Sequence, residues 1–291
     1  MNSTTGRAYR MSAALLLLLS ACSSSTDSGN RGIPWTRLSG RLAYSREDCP
    51  NTCSSSLFIL DASQQKVVAI KTLSGLSFIG LAWAPDGNIT YTQLPSDGPY
   101  ELHALSPGQG ISMLLFAPAG PASWSSDGHA AYQCGDFTLC IDGHALDLGD
   151  FAVMLARPAL SKDGARLVAG ASSPDISGLV AVNVSTRAIT LLRQNPAGTI
   201  AYNPLFSPDE ARIAFEDAAS GSTKSEIWVM RADGSEPVQL TSGHADREPA
   251  WSPDGSEIAF FRDGNVFVMD ADGGNVEQVT SDGANSVAWA P

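Results

Sequence analysis

Six polar residues of this chain, Arg157, Asn203, His244, Asp246, Arg247 and Glu248, have the types and placement to recognise a ligand by charge and hydrogen bonding. Four of them share one run, His244-Ala245-Asp246-Arg247-Glu248, while Arg157 and Asn203 each stand directly before a proline. The two arginines are forks for a carboxylate, and His244 could make recognition respond near neutral pH. The competing reading is a set of solvated loop residues joined by internal ion pairs. Covalent chemistry lacks its signatures: there is no Gly-x-Ser-x-Gly elbow, no His-Glu-x-x-His and no phosphate-cradling glycine loop. Ser63-Gln64-Gln65-Lys66 matches a Ser-x-x-Lys string without the companion motifs, and Asp270-Ala271-Asp272-Gly273-Gly274-Asn275 resembles a calcium loop without its terminal Glu. Both read better as turns between strands. The sequence therefore predicts no catalytic residue, no metal and no cofactor.

The elements that must position these residues come from a repeat. Trp251-Ser252-Pro253-Asp254-Gly255 recurs in worn form as Trp83-Ala84-Pro85-Asp86-Gly87, Trp124-Ser125-Ser126-Asp127-Gly128, Leu160-Ser161-Lys162-Asp163-Gly164 and Phe206-Ser207-Pro208-Asp209-Glu210, with a last copy begun at Trp289-Ala290-Pro291. The spacings are 41, 36, 46, 45 and 38 residues, the period of a four-stranded propeller blade. Pro presets φ for a turn, Asp follows comfortably and Gly takes the left-handed position that closes it. Trp83, Asp86, Gly87, Trp124, Asp127, Gly128, Asp163, Gly164, Asp209, Trp251, Asp254 and Gly255 are thus read as structural corner residues, the tryptophans packing between blades. Each corner precedes an apolar triplet such as Ile89-Thr90-Tyr91 or Ile258-Ala259-Phe260, as expected of strands buried on both faces.

Four short strands per repeat make one blade, and the 252 residues from 40 to 291 divide into six blades of 42. The fold class is all-β: a six-bladed propeller of four-stranded antiparallel blades. The final blade is expected to take Ser286-Val287-Ala288-Trp289 from one end of the chain and three strands, beginning with Arg41-Leu42-Ala43-Tyr44, from the other. The run 244–248 and residues 157 and 203 then lie where outer strands lead back to inner ones, at one mouth of the central channel. Loops held by a rigid scaffold are where binding residues concentrate.

The Trp-Ser-Pro-Asp-Gly-x-x-Ile-Ala-Phe pattern, with Pro249, Pro204 and Pro158 two residues ahead of the corner aromatic or its substitute, resembles the WD-related repeat of TolB-type β-propellers. The resemblance covers about residues 40 to 291 and departs from the pattern at Leu160, Lys162, Ser126 and Glu210. It implies a propeller of the cell envelope. TolB itself pairs its propeller with an N-terminal α/β domain and works with the peptidoglycan-associated lipoprotein. Here about 17 residues separate Cys22 from the first strand, so that domain is expected to be absent.

Residues 1–21 read as an export signal: Arg7 and Arg10, an apolar run Ala13 to Leu19, then Leu19-Ser20-Ala21-Cys22. The ending resembles a bacterial lipobox, which implies cleavage before Cys22 and lipid on its thiol; an ordinary signal peptide with a coincidental Cys is the alternative. Residues 22–38 are expected to be the lipidated cysteine and a flexible tether, and 39–291 the propeller. Four further cysteines, Cys49, Cys53, Cys134 and Cys140, are disulfide candidates in an exported chain, each adjacent pair lying within one hairpin connection.

The chain carries 18 basic and 30 acidic residues, net −12, and loss of Arg7 and Arg10 would take it to −14. That balance argues against nucleic acid, whose binding needs neutralising Lys and Arg. Together these features predict a monomeric, lipid-anchored, non-catalytic scaffold that binds a protein or envelope component, on the periplasmic side of the outer membrane in a Gram-negative host. The rival readings are a hydrolase or lyase with a site in the channel, and a sugar- or ligand-sensing module.

Overall fold

The computed structural model describes residues 32–48, 54–74, 77–93, 95, 98–135, 137–149, 152–153, 156–172, 177–281 and 283–291. The signal, Cys22, and the Cys49 and Cys53 pair lie outside the described residues. The described residues form six antiparallel sheets. Blade 1 orders Ser286–Trp289 first, then Arg41–Asp48, Ser54–Asp61 and Lys66–Ser74. Blade 2 runs from Ile79–Trp83 through Ile89–Gln93 and Glu101–Leu105 to Ser112–Phe116. Blade 3 comprises Ala122–Trp124, Ala130–Gln133, Leu139–Ile141 and His144–Ala145.

Blade 4 opens on an interrupted strand, Ala152–Val153 and Ala159–Leu160, both parts pairing with Arg166–Ser172, followed by Ser177–Asn183 and Ile189–Gln194. Blade 5 is Thr199–Phe206, Arg212–Ala219, Ser225–Arg231 and Val238–Gln239. Blade 6 is Asp246–Trp251, Glu257–Arg262, Asn265–Asp270 and Glu277–Gln278. The first strands of the six blades touch one another in cyclic order, so they ring the axis. This is the six-bladed, all-β propeller expected from the repeat, with the two ends of the chain sharing a blade.

The core is divided between the blades rather than gathered in one mass. Successive side chains of a strand point to opposite faces, so Leu42 and Tyr44 pack towards Ala259 and Val268 of blade 6 while Ala43 packs towards Leu81 and Ile89 of blade 2. Six apolar clusters fill the six interfaces in this way. The corner tryptophans knit the ring through their indole nitrogens. Trp83 donates to the Ala288 carbonyl at 3.2 Å, Trp124 to the Thr90 hydroxyl at 3.1 Å and Trp251 to the Leu205 carbonyl at 3.2 Å, each reaching back one blade.

At the corners Ser252 donates to Asp254 Oδ1 at 2.7 Å, and the same pairing joins Ser125 to Asp127, Ser161 to Asp163 and Ser207 to Asp209. These serine hydroxyls hold the four carboxyls below the usual carboxylate range. Asp86, with Ala84 in the place of that serine, accepts instead from the Asn88 amide at 3.0 Å. Gly87, Gly128, Gly164 and Gly255 all take positive φ; Glu210, at the same place in blade 5, does so at +56° and its carboxylate accepts the Lys162 amide of the neighbouring corner.

Closure rests on Leu42, Ala43, Tyr44 and Ser45 pairing with Trp289, Ala288, Val287 and Ser286. Trp289 also donates its indole N–H to the Ser39 carbonyl at 2.5 Å. Ahead of that strand, Arg37 bonds Glu257 at 3.0 Å and Asp270 at 2.6 Å, both on blade 6. Asp270 is thereby committed to an ion pair and to the Asn275 amide, 2.6 Å away. Removing residues 286–291 should strip the strand nearest the axis from blade 1 and abolish cooperative unfolding of the ring. Trp289→Ala, which leaves the backbone pairing in place, should cost roughly 3–5 kcal/mol in urea denaturation. A truncated chain with an unchanged midpoint would contradict this account of closure.

Candidate functional site

In blades 4, 5 and 6 the first strand carries a proline two residues ahead of its corner residue (Pro158, Pro204 and Pro249), and proline cannot donate to a ladder. The strand answers with a bulge. The pairing register shifts between Tyr202 and Leu205 and between Arg247 and Ala250; blade 2, with Leu81 in place of the proline, also shifts between Ile79 and Ala82. The first residue of each bulge is left-handed: Asn203 at φ +48°, Glu248 at +52° and Gly80 at +58°. For Gly80 no other residue fits, since a Cβ there would sit 2.4 Å from that of Pro121. In blade 4 the strand breaks altogether around Arg157 and Pro158. Non-glycine residues held at positive φ cost of order 1–3 kcal/mol and persist where surrounding contacts fix them.

Those contacts form a polar ring at one end of the channel. The Arg157 amide donates to Asn203 Oδ1 at 3.0 Å, and Asn203 Nδ2 donates to Glu216 Oε1 at 2.7 Å. The Glu248 amide donates to the same oxygen at 2.8 Å. Glu248 Oε2 in turn accepts from the Ser286 hydroxyl and the Val287 amide of blade 1, and Ser286 Oγ accepts the Leu81 amide of blade 2 at 3.1 Å. One carboxylate, Glu216, thus ties the bulges of blades 5 and 6, and the chain of bonds runs on from there to blade 2.

Arg157 crosses this ring. Its side chain is buried, and its guanidinium donates through Nη1 to the Leu81 carbonyl at 3.0 Å and through Nη2 to the Pro249 carbonyl at 3.5 Å. Burial pulls its pKa below that of a free guanidinium, against the pull of the Glu248 and Glu216 carboxylates. Arg157 lines the cavities at both ends of the channel and divides it. At the corner end lies a largely apolar funnel of about 440 Å³ ringed by Trp83, Trp124, Leu160, Phe206, Trp251 and Trp289. At the end where the first strands begin lies a cavity of about 360 Å³, walled by Tyr100, Pro121, Tyr202, Glu216, Arg247 and Glu248.

Four of the residues singled out from the sequence, Arg157, Asn203, Arg247 and Glu248, line this second cavity. Two do not. His244 is exposed and faces Asp263 at 3.0 Å on the neighbouring hairpin turn. Asp246 is fully buried within blade 6, where Arg262 grips it with Nε at 2.6 Å and Nη2 at 2.8 Å. His244 lies in the connection ahead of the strand and Asp246 is the strand's first residue; their partners Asp263 and Arg262 hold them away from the cavity. Arg247 keeps one hydrogen bond, from Nη2 to the Thr223 carbonyl at 2.6 Å, and its Nε has no partner. Of the cysteines, Cys134 and Cys140 form a disulfide within the hairpin of blade 3.

Sequence reasoning missed Glu216 and Tyr202. Glu216 follows the apolar triplet Ile213-Ala214-Phe215 directly, where the aligned blades place Ser45, Thr92, Gln133, Gly170 and Phe261; an acid there was the available signal. Its side chain is wholly buried, and Oε2 has no hydrogen-bond partner, the Tyr202 phenol standing beside the carboxylate. Burial pushes the Glu216 pKa up to about 7, the bonds from Asn203 and Glu248 only partly offsetting it. Burial likewise raises Glu248 and Tyr202. Strongly perturbed acids in a cleft mark candidate functional sites.

The family model described as TolB beta propeller domain matches residues 142–291, just over half of the chain. The chain belongs to the TolB β-propeller family. Among curated relatives, an uncharacterised protein of Agrobacterium fabrum is 34% identical over 106 residues, covering 30% of this chain and 36% of that protein. A TolB homologue of Chlorobium luteolum is 30% identical over 118 residues, covering 39% of this chain and 26% of the homologue. The chain thus spans about a third or less of the length of these family relatives. Among solved structures, TolB from Acinetobacter baumannii superposes with a TM-score of 0.73 at 19% identity, over 87% of this chain and 67% of that one. The tricorn protease does so at 0.57 and 16% identity, over 84% of this chain and 26% of the protease. At such identities the likeness is one of fold.

Because Glu216 is held near pH 7 in the folded chain against about 4.5 in the unfolded one, its contribution has a definite sign. Below pH 4.5 both states carry the proton. Between 4.5 and 7 the unfolded state ionises first and stability falls, by ~3 kcal/mol in total, then levels off. Glu216→Gln should remove that slope, so that urea midpoints of variant and wild type diverge progressively from pH 5 to pH 8 in favour of the variant. Parallel pH profiles would contradict the assignment.

Proposed function

We propose that this chain is a non-catalytic envelope propeller, anchored by lipid at Cys22, that binds a segment of another protein or an envelope component in the cavity around Glu216. The carrying observation is a set of three unfinished hydrogen-bonding groups on residues that line one rigid pocket: the acceptor Glu216 Oε2 and the donors Arg247 Nε and Arg157 Nε. Buried polar groups are normally satisfied, and each unsatisfied one costs about 1–3 kcal/mol. A ligand that completes Glu216 Oε2 and Arg247 Nε recovers that cost without rearranging the ring, since these residues are fixed at the bulges of blades 5 and 6. Few, well-placed polar groups in a pre-formed concavity are the pattern of a recognition site.

A second reading as a hydrolase or lyase draws on one observation, the raised pKa of Glu216, a property of general acids. The neighbouring Glu248 carboxylate, however, is engaged by Ser286 and the Val287 amide, which favours binding over acid–base work. Membership of the TolB family supports an envelope scaffold that meets protein partners. The excess of acidic residues suits a monomer held near a membrane by its lipid rather than by its folded face.

A photo-crosslinker placed at Tyr100, in the cavity wall, should capture the native partner in cells, whereas one at Ser126, at the corner end, should not. Arg247→Glu should lower the Tyr100 adduct about tenfold with little change in melting temperature. Capture only from Ser126 would move the site to the opposite face. Separately, Cys22→Ser should abolish labelling by a fatty-acid probe; equal labelling of variant and wild type would remove the lipid anchor from this reading.

A further inference from the structure

Glu216 is the cavity group whose bonding is half complete, and the half that is missing has a chemical identity. Oε1 already carries two donors, from Asn203 and Glu248, while Oε2 carries none although the side chain is wholly buried. The arginines that neutralise buried acids on adjacent strands are spent elsewhere, Arg193 on Asp217 and Arg262 on Asp246. Arg157 donates from Nη1 and Nη2 to the carbonyls of Leu81 and Pro249, and Arg247 from Nη2 to that of Thr223; the Nε of each has no partner, and neither arginine bonds Glu216. A buried carboxylate without a bonded cation is costly, and supplying one offsets that cost.

We propose that the cavity is a receptor for a primary ammonium group, a lysine side chain or amino terminus of the bound partner, seated on Glu216 Oε2. This rests on the reading of the cavity as a binding site and specifies what it takes. One free oxygen suits a point charge with rotatable donors, whereas a guanidinium fork wants two acceptors side by side. A carboxylate ligand would add a third negative charge beside Glu216 and Glu248. Ile79, Pro121, Ala156 and Tyr100 offer apolar wall for the methylenes of a lysine, and about 360 Å³ accommodates a side chain with its adjoining backbone. Arg247 Nε is then left for a carbonyl oxygen of the same segment.

An ammonium seated there requires the ionised acid. The groups facing Glu216 are Glu248 and Arg247 from the first strand of blade 6, Tyr202 and Asn203 from that of blade 5, and Arg157 from blade 4. With Glu216 half ionised near pH 7, affinity should rise about tenfold from pH 6 to pH 8.

The test is an NMR titration of the full chain with Nα-acetyl-lysine methylamide, against its norleucine and glutamate counterparts. The lysine probe should shift the Glu248 amide, which sits on the same carboxylate, saturably and about tenfold more tightly at pH 8 than at pH 6. The other two probes should leave it unmoved, and Glu216→Gln, with the remaining spectrum unchanged, should abolish the lysine response. Should the variant not fold, the three-probe comparison and the pH dependence in wild type still decide. A response to the glutamate or norleucine probe, or a lysine response that does not rise with pH, overturns the ammonium assignment while the cavity stands as a binding site. If no probe moves the Glu248 amide, the assignment fails, and loss of the Tyr100 crosslink as well ends both readings.

Discussion

A ring of blades holds its shape only if the last interface closes, and here closure depends on one short backbone ladder. Residues 42–45 and 286–289 come from opposite ends of the chain and complete blade 1. Without that pairing the clusters on either side of blade 1 would be open to water on one face, because each is built from two blades. The polar ring depends on it as well: Ser286, on the C-terminal strand, links Glu248 of blade 6 to the Leu81 amide of blade 2. The fold and the candidate site therefore share a support.

The site itself follows from a conflict within the repeats of blades 4, 5 and 6. A proline ahead of the corner interrupts the ladder of the strand nearest the axis, and the bulge it forces turns backbone amides and carbonyls into the channel. Blade 2, which has Leu81 in place of that proline, makes its bulge with glycine, whereas blades 5 and 6 use Asn203 and Glu248, whose strained backbones are held by a shared carboxylate. Arg157 uses the carbonyls thus exposed and fills the axis. The repeat that builds the scaffold also supplies the irregularity in which polar side chains collect.

How much of this could be read from residues alone varied with the range of the interaction. The corners were legible because Pro-Asp-Gly acts within five residues, and the period made the blades countable. The shared blade was legible because Arg41-Leu42-Ala43-Tyr44 and Asn88-Ile89-Thr90-Tyr91 align. The cavity was legible in part: its end of the channel and Arg157, Asn203, Arg247 and Glu248 followed from position. His244 and Asp246 lie within four residues of Glu248, yet side-chain direction sends one to Asp263 and the other to Arg262. Glu216 could not be weighed without the fold, for it comes from the second strand of blade 5 and meets Glu248 across 32 residues.

The Arg37 latch has a mechanical consequence. The segment ahead of the first strand is fastened to Glu257 and Asp270 of blade 6, and the strand that follows lies between two neighbours rather than at an edge. A tug from the N-terminal side therefore meets an ion-pair clasp first and then a strand gripped on both flanks. Such a seam resists peeling, and a load borne by the chain there would be shared between the first and last blades instead of falling on a single sheet margin.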